Sequence, residues 1–323
     1  MKEKNTTKKV QPLNILYCGD SGIKDGLTVS ILSLLKNSTS PLHIYVMTID
    51  YENSAPIQDK TISLLDEIVK CRKKIKIQPP KNLNFNPETE NFVKKLDATE
   101  IFKNTPPEKN LNTIFTKKYF KPCAMLRLYL DQIPELKKLE KLLYLDYDVV
   151  CRKDPTEFYE TDLKNFEAAG TLDIYGKNFY HYNLPKPSLK NPKETLKALK
   201  NYEPDYMNSG VLLFNLKECE KSALFPRAVE ICREKRMMLA DQAALNKVIC
   251  RRKLLPLAFN DQNERSAEDS VFHHFSNNFK FKPYFHVQKI KPFEVDKIHD
   301  ILKITEYDDI LTAYQTLKPE LTG

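Results

Sequence analysis

The strongest constraint on how this chain folds is a hydrophobic period that switches repeatedly between strand-like and helix-like. Leu13 to Cys18, LNILYC, is a short apolar run that breaks at Gly19, Asp20, Ser21 and Gly22, after which Leu27, Ile31, Leu34 and Leu35 recur at helical spacing. Asp25 offers a cap for that helix, Pro41 precedes a second strand at Leu42 to Ile49, and Ile62, Leu65, Ile68 and Val69 mark a second helix. A third strand is expected at Ile75 to Ile77. Strands alternating with helices of this length imply right-handed crossovers and a mostly parallel, Rossmann-like open sheet with helices on both faces, so the fold class is α/β. From Pro79 to Pro107 proline, asparagine and charge dominate, and a long surface excursion is expected. Helical periodicity returns over Tyr119 to Leu130; strands are expected at Ala168 to Leu172 and Val211 to Leu216, and helices at Ala223 to Arg236 and Asp241 to Cys250. The tail from Val295 reads as one or two short amphipathic helices, giving one large domain over residues 10–294 and a small helical appendage over 295–323.

Within this frame LLYLDYDVV, Leu142 to Val150, carries the chemistry. An apolar run that reads as a buried strand ends in two carboxylates at positions i and i+2, and side chains so spaced on a strand share one side, so Asp146 and Asp148 are expected to converge. Two hard oxygen ligands at a strand end suit Mg²⁺ or Mn²⁺, an ion that keeps positions open for water and substrate phosphates. An isolated pair of this kind is also compatible with an acidic turn that merely ends the strand. The first turn does not supply an alternative phosphate cradle: Gly19, Gly22 and Gly26 have the wrong spacing for a dinucleotide fingerprint, and no P-loop is present.

Composition narrows the classes further. At 323 residues and 41% hydrophobic content the chain is long enough for a substantial core. Its apolar runs fall short of a membrane span, and the start, MKEKNTTKK, lacks an apolar signal core, so a cytoplasmic protein is expected. Cys18, Cys71, Cys123, Cys151, Cys219, Cys232 and Cys250 form no CxxC pair, which points to reduced, buried thiols. The net charge of +8 is spread over many lysine clusters and no nucleic-acid module accompanies it, so no nucleic-acid partner is expected.

Ordered blocks along the chain resemble those of the family 8 glycosyltransferases, the GT-A fold group that includes glycogenin and the bacterial lipopolysaccharide galactosyl- and glucosyltransferases. The blocks are ILYCGDSG, MLRLYL, YLDYDVV, AAGTLD, YMNSGVLLFNL, DQAALN, and HHF followed by a lysine and proline pair. The resemblance implies a GT-A catalytic domain, with Gly19 and Asp20 at the uracil ring. Gly22 and Ile23 stand where relatives often place a polar and an aromatic residue. It also implies that Asp146 holds the ribose and the metal, that Asp148 holds the metal, and that a histidine of the late block is the third protein ligand. His274 beside Phe275 fits that block best, with His273 as the alternative; an imidazole ligand favours Mn²⁺ over Mg²⁺. For the lysine that binds the diphosphate two candidates compete, Lys282 before Pro283 and Tyr284, and Lys291 before Pro292 and Phe293; Lys291 is preferred.

The same resemblance assigns sugar recognition to Arg127, Asp173, Asn208 and Asp241, with Gln242 beside Asp241 near the reacting carbon. Relatives commonly read Asp, Gln, Asp here, where this chain has Asp241, Gln242 and Ala243. The implied activity is metal-dependent, retaining transfer of a hexose from UDP-glucose or UDP-galactose to a glycan or lipid-linked cell-envelope acceptor, with peripheral contact at the inner membrane face. A catalytically inactive UDP-sugar-binding scaffold is the alternative.

Overall fold

A computed structural model describes residues 11–70, 91–104, 122–174, 205–234, 240–280 and 286–322. Its strands are β1 (Leu13–Cys18), β2 (Leu42–Thr48), β3 (Phe92–Asp97), β4 (Lys141–Leu145), β5 (Val149–Cys151), β6 (Ala168–Gly170), β7 (Val211–Asn215), β8 (Arg252–Leu254), β9 (Phe272–His274), β10 (Asn278–Lys280) and β11 (His286–Gln288). Helix α1 (Lys24–Asn37) follows β1, and α2 (Asp59–Lys70) follows β2.

The central sheet has seven strands in the order β3-β2-β1-β4-β7-β6-β8. The first four run parallel to one another, β6 and β8 run parallel to each other, and β7 is antiparallel to both its neighbours. The sheet is thus mostly parallel, as expected, and its one reversal has a consequence for the site. Because β7 runs against β4, pairing Leu145 with Val211, the residues that precede β7 lie beside those that follow β4.

Side chains alternate across the strands as a two-residue period requires. Leu13, Ile15 and Tyr17 of β1, Leu143 and Leu145 of β4, and Val211 and Leu213 of β7 join one core with Leu27 and Ile31 of α1 and Leu65 of α2. Leu16, Leu142, Tyr144, Leu212 and Phe214 join the opposite core with Leu126 and Leu128, the Leu224–Glu234 helix and the Ala240–Val248 helix. Helices therefore cover both faces. The tail belongs to the first core: Ile298, Leu302, Tyr307, Ile310 and Tyr314 are buried in it, and the Tyr314 hydroxyl donates to Asp25 Oδ1 at 2.8 Å. The last helix, Asp308–Thr322, is longer than the short helices expected there.

Some expectations are corrected. Residues 91–104 are not a surface excursion: FVKKLD is β3, paired in parallel with β2, and Thr99–Asn104 is a helix. The pattern looked weak because β3 is an edge strand, half-buried through Val93 and Leu96 and blunted by Lys94 and Lys95. The segment Pro122–Gln132 is 3-10 rather than α-helical and breaks at Tyr129. The strand expected at Ile75 to Ile77 and Cys71 lie outside the described residues, as do residues 119–121. Among the described cysteines all are free, and Cys250 is exposed rather than buried. No helix among the described residues is long and apolar enough to cross a membrane.

Candidate active site

Strand β4 stops at Leu145, so the two carboxylates do not converge by strand alternation as expected. They lie on a turn between β4 and β5, closed by the Val149 amide donating to the Asp146 carbonyl at 3.2 Å, and the turn brings both side chains to one side. Strand β5 pairs with β9, setting Val149 opposite His274 and delivering that imidazole to the same point. His274 Nε2 is 3.4 Å from Asp148 Oδ1 and 3.8 Å from Asp146 Oδ2, and one donor atom from each residue lies within 4.8 Å of the others. Gly210 makes room: a Cβ there would stand 2.2 Å from His274 Cε1. Two carboxylates and an imidazole around one point form a donor set suited to a first-row divalent ion. His273 points the other way. Its Nδ1 meets the Tyr307 hydroxyl at 2.8 Å and its Nε2 the Asn263 carbonyl at 2.9 Å, and burial pushes its pKa down to about 4.

Lys291 completes this end of the site. Its Nζ is 2.5 Å from Asp148 Oδ2 and 3.0 Å from the Phe275 carbonyl. Burial alone would raise the Asp148 carboxyl, but Lys291 and then His274 beside it hold it well below the usual carboxylate range. Lys282 lies outside the described residues. Tyr144, kept protonated by burial, donates to Asp146 Oδ1 at 2.7 Å.

Arg127 is the hub of the next layer. Its Nε is paired with Asp241, its Nη1 and Nη2 donate to the Ser209 carbonyl and hydroxyl at 2.6 and 2.9 Å, and Nη1 is 3.6 Å from Asp146 Oδ1. Burial alone would lower the guanidinium pKa, but Asp241 and its neighbours drive it up, so Arg127 stays charged. With these donors engaged by protein, Arg127 shapes the site through Asp241 and Ser209. Beside it Gln242 Oε1 accepts from the Ser209 amide at 2.9 Å and hydroxyl at 3.0 Å, and its Nε2 donates to Asp173 Oδ2 at 3.0 Å. Asn208 Nδ2 donates to the same Asp173 oxygen at 3.1 Å. Asn246 clamps this layer from below, bonding the amide and the carbonyl of Met207, each at 2.8 Å.

Asp20 follows the end of β1, where its Oδ1 caps the following turn through the Gly22 amide at 2.9 Å. Gly19 is closely packed, since a Cβ would meet Ile23 at 2.6 Å. The carboxyl ends of β1 and β4 flank the point where the strand order turns back on itself, the usual crevice for ligands in open α/β sheets. Ser209, Asn246 and Asn260 were not singled out from the sequence. Ser209 sits inside the YMNSG block, and Asn260 ends the apolar run LPLAF at a polar DQN, which is the only signal each offered.

Residues 14–260 match the family model described as "Glycosyl transferase family 8". A protein of Haemophilus influenzae that carries a provisional glycosyltransferase name is 25% identical over 250 residues, covering 76% of this chain and 61% of that protein. The lipopolysaccharide 1,2-glucosyltransferase of Escherichia coli is 24% identical over 159 residues, covering 43% of each. This chain thus spans only part of those relatives' lengths. Among solved structures, the galactosyltransferase LgtC in complex with donor and acceptor sugar analogs aligns with a TM-score of 0.60 at 16% identity, covering 95% of this chain and 100% of that one. The bifunctional glycosyltransferase WbbM aligns at 0.63 and 17% identity, covering 98% of this chain and 52% of that one. These likenesses establish the GT-A type of α/β fold, and with a family match running from β1 through the DxD turn to Asn260, the chain belongs to glycosyl transferase family 8.

Proposed function

We propose that this glycosyltransferase is a metal-dependent, retaining hexosyltransferase that uses a UDP-sugar, UDP-glucose or UDP-galactose, and delivers the hexose to a glycan or lipid-linked cell-envelope acceptor. The observation that carries the reading is the meeting of Asp146, Asp148 and His274 within 4.8 Å at the switch point of the sheet, beside the hydrogen-bonded group of Asp173, Asn208 and Gln242. Asp146, Asp148 and His274 would hold the ion, with Mn²⁺ favoured by the imidazole. When bound, such an ion supplies positive charge that stabilises the departing diphosphate.

The chain's own groups do the rest. Lys291, paired with Asp148 at 2.5 Å, is a second cation for the diphosphate, and Asp20 is the acceptor for the uracil ring. Asp173 and Asn208 offer an acceptor and donors matched to sugar hydroxyls. Gln242 is a poor nucleophile, and its oxygen already accepts from Ser209, so the reading favours attack from the face that the leaving group vacates, with Gln242 positioning the sugar. Asp241 acts through Arg127, which it binds. A cytoplasmic location with contact at the inner membrane face belongs to the same proposal.

The test is release of UDP from UDP-glucose or UDP-galactose in the presence of Mn²⁺. Asp148→Asn is expected to lose at least about 100-fold in turnover, since it removes charge from the metal and the partner of Lys291. Full turnover by that variant would sink the metal assignment.

A further inference from the structure

The ring of His274 has two nitrogens, and only one can face the carboxylates with a lone pair. Which one does is decided at the backbone. The Gly210 amide can only donate, and it lies 2.9 Å from Asn208 Oδ1, so that atom is the amide oxygen and Asn208 Nδ2 is turned to Asp173. Asn260 Nδ2 then donates to the same Asn208 oxygen at 2.9 Å, which leaves Asn260 Oδ1 facing His274 Nδ1 at 3.1 Å. An oxygen there can only accept, so Nδ1 carries a hydrogen, and Nε2 is the nitrogen directed at Asp148 and Asp146, the one that offers its lone pair when a metal ion takes the place of its proton. All three side chains are buried, at 7%, 0% and 4% exposure for Asn208, Asn260 and His274, so water has little access to relax this order.

We propose that Asn260 is a positioning residue: its amide fixes the His274 tautomer that a metal ligand needs, and ties that ligand to the sugar-binding group through Asn208. The inference rests on the metal-dependent reading above. Asn260 is suited to this work because a carboxamide both accepts from the imidazole and donates to Asn208. The relay runs on from Asn208 to Asp173 and Gln242, whose own orientation is set by the neighbouring amide of Ser209. Two consecutive backbone amides, of Ser209 and Gly210, thus polarise the metal side and the sugar side together. Outer-shell partners of this kind typically carry about 10–100-fold in metal affinity.

Long-range ¹H–¹⁵N spectra of the metal-free protein, with the His274 signals identified by their loss in His274→Ala, read the tautomer directly, and Mn²⁺ titration with and without UDP reads the ligand. The wild type is expected to show a hydrogen on Nδ1. Asn260→Ala is expected to lose that preference and to weaken Mn²⁺ binding about 10–100-fold while its circular dichroism stays native. Asn260→Asp keeps an acceptor for Nδ1 but has no donor for Asn208, so it should hold Mn²⁺ within a few-fold of wild type and raise KM for the UDP-sugar. A wild type whose Nδ1 carries no hydrogen, or a folded Asn260→Ala that binds Mn²⁺ as the wild type does, overturns the inference alone. A wild type that takes up no Mn²⁺ even with UDP overturns the metal-dependent reading and this inference with it.

Discussion

In β1, β2 and β4 nearly every inward side chain is apolar and close to fully buried, from Leu13, Ile15 and Leu16 to Ile44, Val46 and Leu143. Around the start of β7 and beside β9, polar side chains are buried among the apolar ones: Asn208, Ser209, Asn260, Asp261, His273 and His274. The first region is held by burial and close packing, which are strong in sum and tolerant of direction. The second is held by oriented hydrogen bonds in which one misplaced donor leaves several partners unsatisfied. The parallel half is a platform. The reversed strand brings in the chemistry, because only an antiparallel β7 sets Asn208, Ser209 and Gly210 beside Asp146, whose amide donates to the Gly210 carbonyl at 2.8 Å.

Substitutions can break this contrast from either side. Ile44→Ala, at a fully buried site in β2, is expected to cost about 2–5 kcal/mol in denaturant unfolding while leaving Mn²⁺ affinity of the folded protein unchanged. A matching loss of Mn²⁺ affinity would show that the two regions are not separable. Gly210→Ala should do the reverse: the new methyl would stand 2.2 Å from the His274 ring and push it aside, weakening Mn²⁺ binding about 10–100-fold with a much smaller shift in the unfolding midpoint. The smallest effect is expected where the tail braces the second region. Glu306 pairs with Arg152 at 2.7 Å; burial would raise its pKa, but the Arg152 hydrogen bond and its other partners outweigh this and lower it. A carboxyl depressed in the folded state stabilises above its unfolded pKa, and that contribution fades as pH falls through the folded value. With the Glu306 side chain 42% exposed, screening leaves a few tenths of a kcal/mol, so the stability gap between wild type and Glu306→Gln should be small at pH 7 and narrow further toward pH 3.5.

Periodicity exposed the elements whose side chains are buried on both faces and hid those that are not. LNILYC, LLYL and VLLFN read as strands because each packs into two cores. FVKKLD did not, because an edge strand with lysines at its centre shows only half a pattern. The carboxylate pair was visible in LDYDVV, yet the means of its convergence was not, since a turn after the strand replaces strand alternation. Adjacent His273 and His274 could not be separated by residue type. Strand β9 separates them by pointing one at Tyr307 and the other at the carboxylates. The sequence favoured Lys291 by its neighbours, and the 2.5 Å pairing with Asp148 sets it beside the carboxylates. Asn260 carried almost no signal, because its role depends on a hydrogen-bond chain whose members come from separate stretches of sequence.

The amino-acid order alone determined an α/β sheet, a pair of carboxylates after its fourth strand and membership in a transferase family through ordered blocks, because apolar period and short motifs are local properties of the chain. Tertiary structure decided which histidine meets those carboxylates, that Lys291 pairs with one of them, and how each buried amide is turned. Those outcomes depend on distances between segments remote in sequence, and on the rule that every buried donor must find an acceptor, which no single stretch of residues can satisfy by itself.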